Sequence, residues 1–175
     1  VLAEIERVAA ERGAPLWSVE REFGPDLARY PTTNLEGDYQ RWTAATAALV
    51  ARLMPARWRL TPAVVARGLQ TVSWPGRWQR IQVGDTPVIL DATHNPEGAE
   101  QLDASLAKLV AETGRAPVVV VGATGERRAR AVLAAVAKHA RAVRLVVPQQ
   151  ERAMDYAVLE RCLPADFRGE VRRTT

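Results

Sequence analysis

The chain has 175 residues, 47% of them hydrophobic, which is enough for a packed core in one domain or in two small ones. Its 24 basic and 20 acidic residues give a net charge of +4, but the arginines are scattered and form no basic stripe with interleaved aromatic residues, which excludes a typical nucleic-acid-binding protein. One cysteine excludes a disulfide framework and a cysteine-rich zinc site, and without a signal peptide or an apolar run of about 20 residues we expect a cytoplasmic protein with no membrane contact.

The first 34 residues predict one helix and little other regular structure. Residues 1–12 place apolar side chains on one face and charges opposite, which predicts an amphipathic helix that Gly13 ends. Residues 16–19, Leu-Trp-Ser-Val, predict a short strand. Residues 24–34 contain two prolines and are expected to form an irregular connection.

Two further helices are predicted before a hinge. Residues 38–54 are rich in alanine and carry apolar side chains at helical spacing. Thr61 followed by Pro62 is typical of a helix start, and that helix is expected to end near residue 71. Residues 73–76 contain Pro-Gly and are the predicted hinge, which divides the chain into domains of residues 1–73 and 74–175.

The second domain alternates predicted strands and helices. Strands are expected at 78–83 and at 88–90, where Val-Ile-Leu predicts a strand buried on both faces as in a parallel sheet. Two more are expected at the four valines of 118–121, the clearest buried strand in the chain, and at 143–147. Helices are expected from 96 to about 114, through Ala129, Val132, Leu133 and Val136, and over 153–163. This order predicts an α/β fold, Rossmann-like, with a doubly wound and mainly parallel sheet behind a mostly helical first domain.

Polar residues fill the turn after the strand at 88–90. Asn95 is a good N-cap and Pro96 suits the first helical position, so Asp91 and His94 lie between the carboxyl end of a strand and the amino end of a helix. Open α/β sheets bind ligands at such crevices. The structural alternative is that Asp91 bonds to nearby amides and that His94 is only solvated.

A second glycine turn follows the valine strand. Gly122 and Gly125 match part of a dinucleotide-binding fingerprint, but the full Gly-x-Gly-x-x-Gly is absent and the strand at 143–147 ends in Pro148 rather than an acidic residue. The sequence therefore disfavours a NAD site.

Three stretches carry a resemblance to a known family. Residues 90–96 read Leu-Asp-Ala-Thr-His-Asn-Pro, residues 74–79 read Trp-Pro-Gly-Arg-Trp-Gln, and residues 35–45 read Leu-Glu-Gly-Asp-Tyr-Gln-Arg-Trp-Thr-Ala-Ala. In the same order they resemble the Asp-Gly-Ala-His-Asn-Pro, Trp-Pro-Gly-Arg-Leu-Gln and Leu-x-Gly-x-His-Gln-x-x-Asn-Ala-Ala signatures of folylpolyglutamate synthase/dihydrofolate synthase, in the Mur ligase superfamily.

The resemblance implies an ATP-dependent acid–amino-acid ligase of folate biosynthesis and one-carbon metabolism. Such an enzyme joins L-glutamate to a folate or pteroate carboxylate through an acyl phosphate, and its small-molecule partners are ATP, L-glutamate and folate or dihydropteroate. Residues 1–73 would be the end of the central ATP-binding domain and 74–175 a truncated C-terminal domain of a monomer. Because the chain has no Gly-x-x-x-x-Gly-Lys-[Ser/Thr] loop, we expect it to be inactive alone, with the Mg²⁺ ligands mainly outside it.

The resemblance also implies the site residues. Thr43, Arg77, Asp91 and Asn95 are expected to bind the nucleotide and His94 to be catalytic, and no residue is assigned to a metal. The chain departs from the family at Thr43, where the family has Asn, at residue 39, where Tyr replaces His, and at residues 127–128, where Arg-Arg replaces Lys-Asp. Two alternatives remain: a non-catalytic nucleotide- or phosphate-binding module, and a cell-wall Mur-type amino acid ligase.

Overall fold

The computed structural model describes residues 2–174 and forms two compact units, Val1–Leu90 and Asp91–Thr175. No helix among the described residues is both long and apolar enough to cross a membrane. The first unit contains, in chain order, α1 (Leu2–Glu11), α2 (Val19–Phe23), a 3-10 turn (Leu27–Arg29), α3 (Tyr39–Leu53), a second 3-10 turn (Ala56–Trp58), α4 (Pro62–Leu69), β1 (Gln79–Val83) and β2 (Thr86–Leu90).

The helix starts predicted in the first unit are confirmed. α4 begins where Thr61 accepts a hydrogen bond from the Val64 amide at 3.3 Å and Pro62 takes the first helical position. α1 ends before Gly13, whose φ of 59° is left-handed. The apolar face of α1 is nonetheless not buried, since none of its described side chains lies in a core.

The prediction of a strand at residues 16–19 is wrong. Ser18 is extended and is followed by α2, whose first turn carries Glu20 and Glu22, the charges that a helix dipole favours there. The helix buries Phe23 against Tyr30 and α3. The sequence pattern of so short a segment does not determine its conformation, which is set by this packing instead. The core of this unit consists of Phe23, Tyr30, Ala45, Ala48 and Leu49, with Val19, Leu27, Val65 and Leu69 packed against it.

The strand predicted at 88–90 exists, but its environment was predicted wrongly. β2 pairs with β1 as an antiparallel two-stranded hairpin, with Gln79 opposite Leu90 and the turn at Gly84. Leu90 is exposed and Val88 and Ile89 are only half-buried. Each strand of a two-stranded hairpin pairs with a neighbouring strand on one edge only. The apolar run at residues 88–90 therefore does not indicate a parallel sheet.

The second unit confirms the α/β fold, with a parallel sheet and helices in alternation. Its three strands lie in the order β3-β4-β5, all parallel, with Val118 opposite Ala142 and Ala142 opposite Glu170. Its largest fully buried side chains are Leu133, Val136, Val143, Leu145 and Leu159. The elements are α5 (Pro96–Thr113), β3 (Val118–Val121), α6 (Glu126–Ala137), β4 (Ala142–Leu145), α7 (Tyr156–Cys162) and β5 (Glu170–Arg173).

Two strands of this sheet differ from expectation. Residues 118–121 were predicted to be the clearest buried strand, but Val118 and Val120 are 41% and 62% exposed, because they lie on the same face of β3 and that face is uncovered. β5 was not predicted, since Glu-Val-Arg-Arg has no apolar alternation. Its charges are matched by other segments: Glu170 accepts from Arg144 at 2.8 Å and Arg173 donates to Glu160 at 2.8 Å.

A charged cluster joins α5 to the end of α6. Asp103 pairs with Lys138 and, at 2.5 Å, with His139. The Lys138 hydrogen bond, and after it the His139 bond, hold the pKa of Asp103 below its ordinary value of 3.8. A carboxylate with a lowered folded pKa stabilises the fold above its unfolded pKa, and this contribution is lost as the pH falls through the folded pKa.

We therefore expect Asp103→Asn to cost about 1 kcal/mol of unfolding free energy at pH 5 and progressively less as the pH falls below about 4. Urea titrations of the wild type and the variant across this range measure the difference, with the exposed Asp166→Asn as the matched control. A difference that stays constant down to about pH 2 would contradict the pairing.

Candidate functional site

The turn of residues 91–95 follows β2 and ends where α5 begins. Asn95 is extended, and its side-chain carbonyl accepts from the Gly98 amide at 2.8 Å, while Pro96 and Glu97 occupy the first turn. A Cβ on Gly98 would lie 2.6 Å from Asn95 Oδ1, so a larger residue here would require the Asn95 side chain to shift. The helix start predicted from the sequence is confirmed.

Asp91 holds the turn from its other end. Its Oδ1 accepts from the Thr93 amide at 2.9 Å and from the Thr93 hydroxyl. This is an Asx turn, so the structural alternative for Asp91 is present in the molecule. The same two bonds fix the direction of the carboxylate, which is also what a ligand-binding carboxylate needs.

His94 lies between these two anchors. Its ring is exposed, and Nδ1 lies 2.9 Å from the carbonyl oxygen of Ala92. The structure thus brings Asp91, His94 and Asn95 together within five residues of chain, with both ends of the turn fixed by hydrogen bonds.

Thr43 and Arg77 belong to the other unit. Thr43 is exposed on α3, next to the buried Ala44, and Arg77 is half-buried in the loop before β1. That loop is tightly turned, because Gly76 has a φ of 74° and Trp78, although not glycine, has a φ of 47°. Gln79 supports it by accepting from the Gly76 amide at 3.0 Å. The roles of Thr43 and Arg77 stay predictions.

An open cavity of about 440 Å³ lies at the carboxyl edge of the parallel sheet. It is formed by the β3–α6 turn and by the segment that follows β4. Its lining residues are Thr124, Gly125, Glu126, Arg127, Arg128 and Arg152.

The charge around this cavity is positive. Glu126 is its one acidic lining residue, and Arg130 pairs with that carboxylate at 2.6 Å. Arg127, Arg128 and Arg152 form no ion pair within the described part of the chain. Free guanidinium groups bind carboxylate or phosphate oxygens, so the cavity suits an oxyanion.

Residues 127–128 stand out in the sequence as a departure from the family, whereas Arg152 was not predicted to be a site residue. A signal existed: Arg152 follows β4 as the arginine pair follows β3, and the carboxyl ends of neighbouring parallel strands meet at one edge. The order of the strands in the sheet could not be predicted from the sequence.

The described residues offer no evident metal centre. Between Leu2 and Thr174 no three His, Cys, Asp or Glu side chains cluster closely enough to hold an ion.

Comparison with known proteins adds to this geometry. Residues 76–173 match the family model "Mur ligase, glutamate ligase domain". The chain is 34% identical over 90 residues to the folylpolyglutamate synthase of Lacticaseibacillus casei, a match that covers 50% of this chain and 20% of that protein.

Solved structures agree with this match. The folylpolyglutamate synthase of Mycobacterium tuberculosis complexed with ADP aligns with a TM-score of 0.62 at 26% identity, over 81% of this chain and 31% of that one. The bifunctional folylpolyglutamate synthase/dihydrofolate synthase of Yersinia pestis, complexed with AMPPNP and Mn, aligns with a TM-score of 0.66 at 24% identity, over 98% of this chain and 41% of that one; this likeness shows the fold alone.

The chain thus spans between a fifth and about two-fifths of the length of these relatives. The family match begins at residue 76, whereas the compact units divide after Leu90, and the domain boundary predicted at residues 73–74 stays a prediction. The resemblance to the folylpolyglutamate synthases is confirmed, and with more than half of its residues matched the chain belongs to the Mur ligase family.

Proposed function

We propose that this chain is part of an ATP-dependent ligase that joins L-glutamate to a folate or pteroate carboxylate through an acyl phosphate. The observation that carries the proposal is that the 91–95 turn, fixed at both ends, lies inside the matched residues 76–173. We expect this enzyme to act in the cytoplasm as a monomer, with ATP bound together with Mg²⁺.

The nucleotide is proposed to contact Thr43, Arg77, Asp91 and Asn95. The guanidinium of Arg77 offers a two-pronged donor to phosphate, and the Asp91 carboxylate, oriented by Thr93, accepts from ribose hydroxyls or orients a donor. The side-chain carbonyl of Asn95 already caps α5, so its amide NH₂ is the group left to donate. Thr43 offers one hydroxyl where the family has an amide, which predicts weaker adenine recognition.

The arginine cavity is proposed to bind a carboxylate of the amino acid substrate. Glutamate carries two carboxylates. The three guanidinium groups of Arg127, Arg128 and Arg152 carry more positive charge than a single carboxylate would neutralise. Binding of the substrate carboxylates to these fixed hydrogen-bond donors would give selectivity for an acidic amino acid.

The test compares two proteins: residues 1–175 alone and the protein that the complete gene encodes. Each is assayed for ADP release that depends on ATP, glutamate and an acceptor. We expect the complete protein to ligate glutamate and the 175-residue chain not to, because it has no phosphate-binding loop. Appreciable turnover by the chain alone would contradict the mechanism, and no ligation by the complete protein with folate, dihydropteroate or a cell-wall precursor would contradict the reaction class.

The same assay also tests the role of the arginine cavity. Arg152→Gln is expected to raise the KM for glutamate about tenfold or more and to leave the KM for ATP unchanged, since one charged hydrogen-bond donor is lost. Arg115→Gln, an exposed arginine outside the cavity, is the matched control. An equal rise in both KM values would argue against a glutamate site.

The second candidate is a non-catalytic nucleotide- or phosphate-binding module that uses only residues 91–95. The local hydrogen bonds of the turn support it, because they need no other domain. The gene separates the two: an upstream coding sequence with a glycine-rich Lys-Ser/Thr loop supports the ligase, and a reading frame that starts at residue 1 supports the module.

A further inference from the structure

We propose that Asn34 and Glu36 are positioning residues, which hold the segment of residues 72–80 at both ends so that Arg77 presents a preformed guanidinium to a phosphate group. This inference rests on the proposed nucleotide contact of Arg77 and names the residues that support it. All of these residues lie in the first compact unit.

The Arg77 side chain has no partner of its own. It is half-buried, and within the part of the chain that the structure describes its guanidinium forms no ion pair or hydrogen bond. A guanidinium carries five N–H donors, and donors that lie partly out of water need acceptors. The side chain is therefore available to an oxyanion, which its planar fork suits.

The backbone on either side of Arg77 has an uncommon conformation. Gly76 has a φ of 74°, and Trp78 has a φ of 47°, in the left-handed region that a residue with a large side chain rarely adopts. The Trp78 side chain is 7% exposed, and its burial stabilises this backbone. Such conformations persist only where the surrounding structure holds them, and they occur preferentially at ligand-binding sites.

Asn34 holds the beginning of the segment. Its side-chain amide donates to the Val72 carbonyl oxygen at 2.9 Å, and its side-chain oxygen accepts from the Val72 amide at 3.0 Å. The Asn34 backbone amide also donates to the Leu69 carbonyl oxygen at 3.3 Å. Gln70 donates to the Thr32 hydroxyl at 2.8 Å, so the two stretches of chain are bonded along their length.

Glu36 holds the other end of the segment. Arg80 on β1 donates to both Glu36 carboxylate oxygens, from Nε at 2.8 Å and from Nη2 at 3.0 Å. A two-pronged ion pair of this kind fixes the orientation of the two side chains as well as their distance. Arg77 thus lies between two anchored ends, and both anchors come from the same short loop.

The loop that carries both anchors also leads into α3. Thr43, the other residue of this unit that is proposed to contact the nucleotide, lies on that helix. Because the loop is bonded on both sides of Arg77, it limits the movement of Arg77 relative to Thr43. A binding loop that is already ordered loses little further freedom when its ligand binds, which favours the complex.

Glu36→Gln tests the anchor with the smallest change in shape. The variant is made in the protein that the complete gene encodes, alone and together with Arg77→Ala, and the Kd for ATP is measured by calorimetric titration. We expect Glu36→Gln to raise this Kd about three- to fivefold, because the charged pair with Arg80 is lost. Arg77→Ala is expected to raise it about tenfold or more, since the phosphate loses a two-pronged donor.

The double variant carries the decisive measurement. If Glu36 acts through Arg77, the double variant binds ATP no more weakly than Arg77→Ala alone. Glu4→Gln is the matched control, because Glu4 also accepts two hydrogen bonds from one arginine, Arg7, and lies exposed on α1. We expect wild-type ATP affinity in this control.

The contrary outcomes are distinct. Unchanged ATP affinity in Glu36→Gln or in Arg77→Ala would overturn the inference, and so would an equal effect of Glu36→Gln with and without Arg77. Each of these results leaves the ligase function standing. A wild-type protein that binds no ATP would instead contradict the proposed function, and the inference with it.

The Asn34 anchor has a readout that needs no nucleotide. Asn34→Ala removes the acceptor of the Val72 amide, and we expect hydrogen exchange of this amide to become about tenfold faster or more. Hydrogen-exchange mass spectrometry of the same complete protein follows peptides that cover residues 70–80, with peptides from α1 as the internal reference. Equal exchange in the wild type and the variant would overturn the role of Asn34.

Discussion

Asp91→Ala, in the protein that the complete gene encodes, is expected to lower turnover about a hundredfold and to weaken ATP binding by a similar factor. The carboxylate is proposed to contact the nucleotide, and it also holds Thr93 through two hydrogen bonds. We therefore expect an additional loss of about 1 kcal/mol in unfolding free energy, rather than the unchanged stability that a free carboxylate would give.

Asp91→Asn separates these two effects. The amide oxygen still accepts from the Thr93 amide, so the turn is kept, but the negative charge that would bind ribose hydroxyls or orient a donor is lost. We expect near wild-type thermal stability with weakened nucleotide binding, measured by calorimetric titration and thermal unfolding on the same samples. Normal ATP affinity in both variants, with a lowered melting temperature in Asp91→Ala only, would show that Asp91 is purely structural.

The largest expected loss of stability follows Leu133→Ala. Leu133 is fully buried on α6 among the core residues of the second unit, and its truncation leaves a cavity that the neighbours fill only partly. Such changes cost about 2–5 kcal/mol, which for a unit of this size lowers the melting temperature by on the order of 15 °C.

Differential scanning calorimetry measures this loss. Val120→Thr is the matched control, because Val120 is 62% exposed on the uncovered face of β3 and Thr keeps the branched Cβ that strands favour. We expect the control to stay within about 0.5 kcal/mol of the wild type. A loss at Val120 equal to that at Leu133 would mean that the exposed face of β3 is covered in solution.

Local chemistry explains what the sequence could predict. Thr61-Pro62 and Asn95-Pro96 begin helices because the cap and the first turn are formed by neighbouring residues. The same holds for the 91–95 turn, whose hydrogen bonds span two or three residues. A site built from adjacent residues is therefore visible in the sequence.

Long-range pairing explains what the sequence could not predict. Residues 16–19 read as a strand, but Phe23 finds its partners on distant α3. β5 reads as a polar loop, because the groups that match its charges, Arg144 and Glu160, lie 26 and 13 residues away from Glu170 and Arg173, respectively. Arg152 lies in the cavity with Arg127 and Arg128 because β3 and β4 are neighbours in the sheet, and that pairing could not be predicted from the sequence.

The placement of the tryptophans gives the first compact unit an optical signal of its own. All five lie in residues 1–90, and four are 45–61% exposed, whereas Trp78 is 7% exposed. Unfolding of the first unit moves the Trp78 indole into water, which shifts its emission to longer wavelength against a background already red-shifted. Residues 91–175 contain no tryptophan, so their unfolding gives no direct change in this emission, whereas far-ultraviolet circular dichroism reports on the helices of both units. Recording both signals in one melt therefore reveals whether the two units unfold together or one after the other.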